Sequence, residues 1–149
     1  MRFVIQIAEN AKVEVEGKTV GAIDHGYVIL AGVGEGDDRE TADKLIRKLL
    51  NLRIFKDENG KTNLSIRDVD GQILIISQFT LYANCRHGNR PSFTDCAAPD
   101  VAKELFDYTV EKIREEIKTV ETGVFGAHMK VTLTNEGPFT VILDSADLK

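Results

Sequence analysis

The residues best placed for chemistry are polar ones standing where a buried strand should be apolar. Ser77, Gln78 and Thr80 follow directly on the aliphatic run Ile73–Ile76 in "GQILIISQFTLYA". Polar groups at the end of a buried strand need partners or a ligand, and two readings stay open: side chains bonded to nearby backbone, or a pocket wall. A second oddity is "TLTNEGPFT", where Gly137-Pro138 interrupts residues that otherwise read as strand. Proline donates no backbone hydrogen bond and glycine adds no stiffness, so the pair weakens a sheet unless a turn or a site requires it.

Other chemistries are excluded by spacing. His25, His87 and His128 lie in unrelated segments, with no pair four residues apart on a helix, so no zinc site is expected. Ser77 lacks the glycines of a nucleophile elbow, and Thr80 has no base beside it in sequence. Cys85 and Cys96 show neither metal-ligand spacing nor a catalytic context. "GVGEGDD" lacks the lysine of a phosphate-binding loop and the spaced glycines of a dinucleotide site, so it reads as a strand-to-helix turn.

The elements that must position these residues fit a single domain over 1–149. With 42% hydrophobic and 29% charged residues the chain has the composition of an ordinary globular protein, and no apolar run reaches the ~18 residues of a membrane span. The N-terminal segment is not a secretory signal, and two unpaired thiols suit a reducing compartment, so a cytoplasmic location is expected. A net charge of −5 argues against nucleic-acid binding by the whole surface and against DNA as a partner. Local positive sets remain: Lys44, Arg47, Lys48, Arg53, Lys56 and Lys61, and separately Arg86 with Arg90.

"RFVIQIA", "AKVEVEG" and "YVILAGV" read as three strands joined by short turns, hence antiparallel. Ala42, Leu45, Ile46, Leu49 and Leu50 fall at helical spacing behind Asp37 or Asp38 as N-cap. The run Ile73–Ile76, apolar on both faces, predicts a central strand that continues into "SQFTLYA". Pro99 opens a second helix with a stripe of Ala102, Leu105, Phe106, Thr109, Ile113 and Ile117, and "HMKVTLT" and "FTVILD" close the chain as two strands. The fold class is therefore α+β, a mostly antiparallel, barrel-like sheet packed with two amphipathic helices.

Taken together, "SQFTLYA" and "NEGPFT", with "GKTNLSI", "GNRPSF" and "TGVFGAHM" in order between them or flanking them, resemble the D-aminoacyl-tRNA deacylase family over essentially the whole chain. The resemblance implies a homodimer, without metal or cofactor, that hydrolyses the ester between a D-amino acid and the 3′-terminal adenosine of tRNA. Glycyl-tRNA would pass as well. It implies an active site at the dimer interface, entered by the Gly137-Pro138 loop of the other subunit. There a cis bond would present two rigid carbonyls to the substrate ammonium and leave no room for an L side chain, with Asn135 and Thr140 in the same segment.

By the same resemblance Ser77, Gln78, Phe79 and Thr80 line the catalytic pocket. Backbone N–H groups near Gln78 and Phe79 would form an oxyanion hole, while Thr80 positions substrate or water and the vicinal ribose hydroxyl assists hydrolysis. Two departures stand out. Ile7 occupies the position of a usual arginine held to brace the loop, and Phe139 stands where valine is commoner. A variant with trans Gly-Pro that accepts L-alanyl-tRNA, a non-catalytic tRNA-binding or scaffold protein of the same fold, and an ordinary esterase are the alternatives.

Overall fold

The computed structural model describes residues 1–148. Two long strands form its backbone, β1 (Arg2–Val15) and β2 (Lys18–Gly32), antiparallel across the two-residue turn Glu16–Gly17. The expected first and second strands are thus one element. Its continuity hides a change of face: Phe3, Ile5 and Ile7 belong to one core, whereas Ala8, Ala11 and Val13 belong to another on the opposite side of the sheet. Between Glu9 and Lys12 the register with the last strand shifts, and Asn10 takes φ +50°. One extra residue inverts the alternation, as a β-bulge does.

Helix α1 (Arg39–Asn51) starts where Asp38 accepts the Thr41 amide at 2.9 Å. Asp37, the other candidate cap, is turned instead onto the Gly34 amide at 2.6 Å. Helix α2 (Pro99–Arg114) opens on its proline and buries Ala102, Leu105, Phe106, Val110 and Ile113 against the same core as α1. The buried Thr109 hydroxyl donates back to the Leu105 carbonyl at 2.7 Å, so it costs the core little. Ile117 is buried as its spacing predicted, one turn beyond the end of α2.

Two short strands, β3 (Phe55–Lys56) and β4 (Thr62–Leu64), make a separate hairpin. Strand β5 (Gln72–Ser77), then β6 (Val120–Thr122) and β7 (Lys130–Asp144) complete a five-stranded sheet in the order β6-β5-β2-β1-β7. The expected α+β class holds, with long antiparallel ladders through β1 and two shorter parallel ones, and one expectation, a central β5, needs correction. β5 pairs parallel with both β2 and β6, so the sheet is mixed. Its centre is β2, and β5 lies one place in from the β6 edge. The sheet is open, with β6 and β7 as its edges, rather than closed as a barrel. β5 is nevertheless buried on both faces: Ile73 and Ile75 under the helices, Leu74 and Ile76 in the second core. α2 is the helix of the parallel β5-to-β6 crossover, which is why a strand with no polar face is followed by an amphipathic helix.

Candidate active site

β5 stops at Ser77, and the predicted continuation of the strand is instead a 3-10 turn, Phe79–Tyr82. The last sheet bond runs from the Gln78 amide to the Ala31 carbonyl at 2.8 Å. That removes the Gln78 N–H from the expected pair of oxyanion donors. The amides of Phe79 and Thr80, at the start of the turn, meet no acceptor among the described residues, as the first donors of any helical turn do not. They are the free donors of this strand end. The Gln78 side chain donates through Nε2 to Thr80 Oγ1, so the Thr80 hydroxyl is held by a donor and has no base beside it.

The turn is seated from three sides. Beneath it, a Cβ on Gly34 would lie 2.8 Å from the Tyr82 ring, so only glycine lets the ring approach the backbone this closely. Arg2 reaches over from the start of β1, donating to the Leu81 carbonyl at 2.6 Å and to Asp144 Oδ2 at 2.8 Å, with its guanidinium 4.7 Å from the Tyr82 ring centre. On the remaining side the Cys96 thiol donates to the Phe79 carbonyl at 3.3 Å. Burial, then the Asp95 charge, push that thiol's pKa up, so Cys96 stays protonated and is no nucleophile. Burial likewise raises the Tyr82 phenol, with Asp37 and Asp144 adding to it. For Asp144, burial works upward, but the Ala146 amide and Arg2 outweigh it and hold the carboxyl below its ordinary range.

Ser77, Gln78 and Phe79 line a cavity of about 260 Å³ whose other walls include Phe106, Phe125, His128 and Met129. The 125–129 segment carries no motif that names a role, and only the path of the chain from β6 to β7 brings it here. His128 is therefore beside the site although its spacing excluded a metal role. Phe79 is 58% exposed at this mouth, its ring edge-on to Phe93 with centroids 5.2 Å apart.

The second predicted group lies elsewhere. β7 pairs with β1 through Thr140–Gln6 and then Asn135–Ala8, so three residues of β7 are looped out opposite Ile7. Glu136, Gly137 and Pro138 are exposed, the Gly137–Pro138 peptide is cis, and Gly137 has φ +129°. The Asn135 side chain staples the protrusion: its Oδ1 accepts the Phe139 amide at 3.0 Å and its Nδ2 donates to Thr140 Oγ1 at 3.1 Å. Gln6 adds a longer contact to the same hydroxyl at 3.4 Å. Ile7, in place of an arginine, is buried under the loop beside a cavity of about 210 Å³ that Gly137, Phe139, Phe55 and His25 also line.

The two groups do not meet within one chain. Paired residues run Ser77, Ala31, Phe3, Leu143 across the sheet, and the loop sits opposite Ile7, four residues further along β1. At sheet spacings of ~4.8 Å between strands and ~3.3 Å per residue, that separation is roughly 20 Å. The cavities on the two sides share no lining residue.

The basic set on α1 and beyond is partly occupied by its own chain. Lys44 pairs with Glu40 at 3.2 Å, and Arg53 donates to the Asn63 carbonyl at 2.9 Å. No helix among the described residues is long and apolar enough to cross a membrane.

Against this geometry, the family model described as D-Tyr-tRNA(Tyr) deacylase matches residues 4–144. A D-aminoacyl-tRNA deacylase of Thermosipho africanus is 56% identical, covering 97% of both chains. One from Aquifex aeolicus is 51% identical over 99% of this chain and 100% of its own. Among solved structures, a c-Myc DNA unwinding element binding protein superposes with a TM-score of 0.92 at 35% identity, covering 97% of this chain and 98% of its own. A probable eukaryotic D-amino acid tRNA deacylase shares the fold, with a TM-score of 0.82 at 18% identity over 95% of this chain and 97% of its own.

Proposed function

The chain belongs to the D-Tyr-tRNA(Tyr) deacylase family, and from that premise we propose that it hydrolyses the ester of D-aminoacyl-tRNA, releasing the D-amino acid and free tRNA. The observation that carries this reading is the strand end itself. Two unpartnered amides, those of Phe79 and Thr80, open the turn that follows the strand, and Phe79 also lines the cavity of about 260 Å³. An ester carbonyl placed against them becomes a tetrahedral oxyanion when water attacks its carbon. Preorganised donors stabilise that charge more than they stabilise the neutral carbonyl. Collapse breaks the bond to the ribose 3′-oxygen, which leaves with a proton.

Thr80 is a positioning residue in this scheme. Its hydroxyl already accepts a hydrogen bond from Gln78, and among the described residues no imidazole or carboxylate is hydrogen-bonded to it, so attack by Thr80 itself is disfavoured. The vicinal 2′-hydroxyl of the ribose is the remaining polar group next to the ester, and it assists water.

The substrate's chirality is read by the Gly137-Pro138 loop of a second subunit. What supports this is the separation of about 20 Å between loop and turn within one chain, together with the loop's exposure on the edge strand β7. Backbone held by Asn135 cannot swing aside as a side chain does, so an L side chain meets it and a D side chain does not. Glycine, with no side chain, passes, which makes glycyl-tRNA a second substrate. Aminoacyl-tRNA is used in the cytoplasm, and the enzyme acts there as a homodimer.

The test is the deacylation rate of D-tyrosyl-tRNA and L-tyrosyl-tRNA, measured side by side with a chelator present. Cleavage of the D ester alone is expected. Cleavage of neither supports the binding scaffold, and cleavage of both means the loop does not filter chirality. Mixing loop-defective with turn-defective chains then tests the shared site: heterodimers regain activity if loop and turn come from different subunits.

A further inference from the structure

We infer that the loop 84–96 and the exposed ring of Phe79 form a landing surface for the single-stranded 3′ end of the RNA, beyond its terminal nucleoside. The inference rests on the deacylase reading and extends it from the ester to the nucleotides that precede it.

Three observations carry it. Phe79 and Phe93 are respectively 58% and 41% exposed, and they meet edge to face with their outer faces in solvent. An exposed aromatic pair is costly to leave bare, and base stacking is one of the few polar-compatible ways to cover it. Next to it stand two arginines, with Asp95 at the far end of the loop as its one carboxylate. Between Asp70 and Asp95 the chain has no acidic residue, and Arg86 and Arg90, both exposed, form no ion pair among the described residues of an otherwise acidic protein.

The third observation is that the loop is built rather than loose. Asn84 and Ser92 exchange backbone bonds of 2.7 and 2.9 Å, the Asn84 side chain accepts the Arg86 amide at 3.0 Å, and the Ala97 amide donates to Val33 at 3.1 Å. Cys96 ties the same loop to the Phe79 carbonyl. The loop that carries Phe93, Arg86 and Arg90 is therefore held against the turn that starts at Phe79. A strand whose last ester enters the cavity beside Phe79 leaves it across Phe93, with its phosphates toward Arg86 and Arg90. Stacking and phosphate contacts fit single-stranded RNA of any sequence; they supply no base-edge readout.

The experiment compares two substrates and one ligand. The substrates are D-tyrosyl-tRNA and D-tyrosyl-adenosine, which ends before the surface. The ligand is a fluorescein-labelled RNA dodecamer ending in CCA, read by anisotropy at several salt concentrations. Phe93→Ala is expected to lower kcat/KM for D-tyrosyl-tRNA by about five- to a hundredfold, the span for one lost base–aromatic stack, while cleavage of the adenosine ester is retained. Arg90→Ala is expected to weaken dodecamer binding and to reduce the salt slope by about 0.7.

Equal losses on both substrates would put Phe93 in the ester pocket and overturn the inference, as would wild-type behaviour of both variants. Tighter binding of the DNA strand of the same sequence would overturn the assignment to RNA. If the wild type cleaved neither ester, the deacylase reading would fall, and dodecamer binding by wild type and variants would still decide the surface.

Discussion

Replacing Arg2 with methionine isolates the brace of the Phe79–Tyr82 turn. Methionine keeps the length and apolar stem of arginine but loses every donor. The Leu81 carbonyl then loses a charge-assisted bond of 2.6 Å, a kind worth about 1.5 to 3 kcal/mol, although water can reach it and favours the low end. The ion pair with Asp144, on a side chain about one-third exposed, adds at most about 1 kcal/mol. The guanidinium over Tyr82 adds about 0.5 to 1 kcal/mol. A total loss of about 2 to 3 kcal/mol is therefore expected in urea denaturation.

The effect on chemistry follows from the position of Leu81, one residue past Thr80. Full loss of one oxyanion donor costs on the order of 10² to 10³ in rate, and a loosened turn forfeits part of that, so a fall of roughly tenfold in kcat is expected. Single-turnover cleavage of D-tyrosyl-tRNA with enzyme in excess reads it directly. Arg2→Lys keeps the charge but not the planar fork, and its rate is expected to lie between the two. Lower stability with kcat within about twofold of wild type would refute the reasoning, because the seat on Gly34 and Cys96 would then hold the amides without Arg2.

Thr80→Val is expected to lower kcat by about ten- to a hundredfold, as misplacement does; a loss on the order of 10⁶ would identify a nucleophile instead. Gly137→Ala forces a side chain onto φ +129° with its Cβ 3.0 Å from the Phe139 amide nitrogen. It should impair cleavage of D-tyrosyl-tRNA while thermal unfolding of the exposed loop's host changes little; full activity would show that the loop is not part of the site. The Tyr27 hydroxyl is buried with no hydrogen-bond partner among the described residues, so Tyr27→Phe should be neutral or stabilising by about 1 kcal/mol, and a clear destabilisation would reveal a hidden partner. Because Asp144 is held below its ordinary pKa, its contribution is present above the unfolded value of about 3.9 and is lost as pH falls through the folded one. The stability gap between wild type and Arg2→Met should therefore narrow in acid, and a gap that stays constant from neutral pH to pH ~3 would contradict the pairing.

Helix positions were legible because their signals are local. The α1 stripe, the Asp38 cap and Pro99 at the head of α2 each follow from neighbours within one turn. What was not legible depends on residues far apart in sequence. The parallel pairing of β5 rests on a crossover whose direction no short motif announces. The bulge at Asn10 changes the face of half a strand without a glycine or proline to mark it. "QFTLY" alternates as a strand would, whereas the turn it forms is held by Gly32, Gly34, Arg2 and Cys96, all distant from it in sequence.

The candidate site shows the same division more sharply. Each half carries its own local sign: polar residues where the core should continue, and a Gly-Pro pair where a strand should not break. Neither sign says that the halves belong together, and the fold of one chain keeps them roughly 20 Å apart. In the proposed function the loop on the open β7 edge meets a neighbour and the turn meets a ligand. Position 7 lies opposite the loop, buried. Ile7 fills the space under the loop with apolar volume, so it supports the protrusion by packing, and Asn135 supplies the hydrogen bonds that hold its shape.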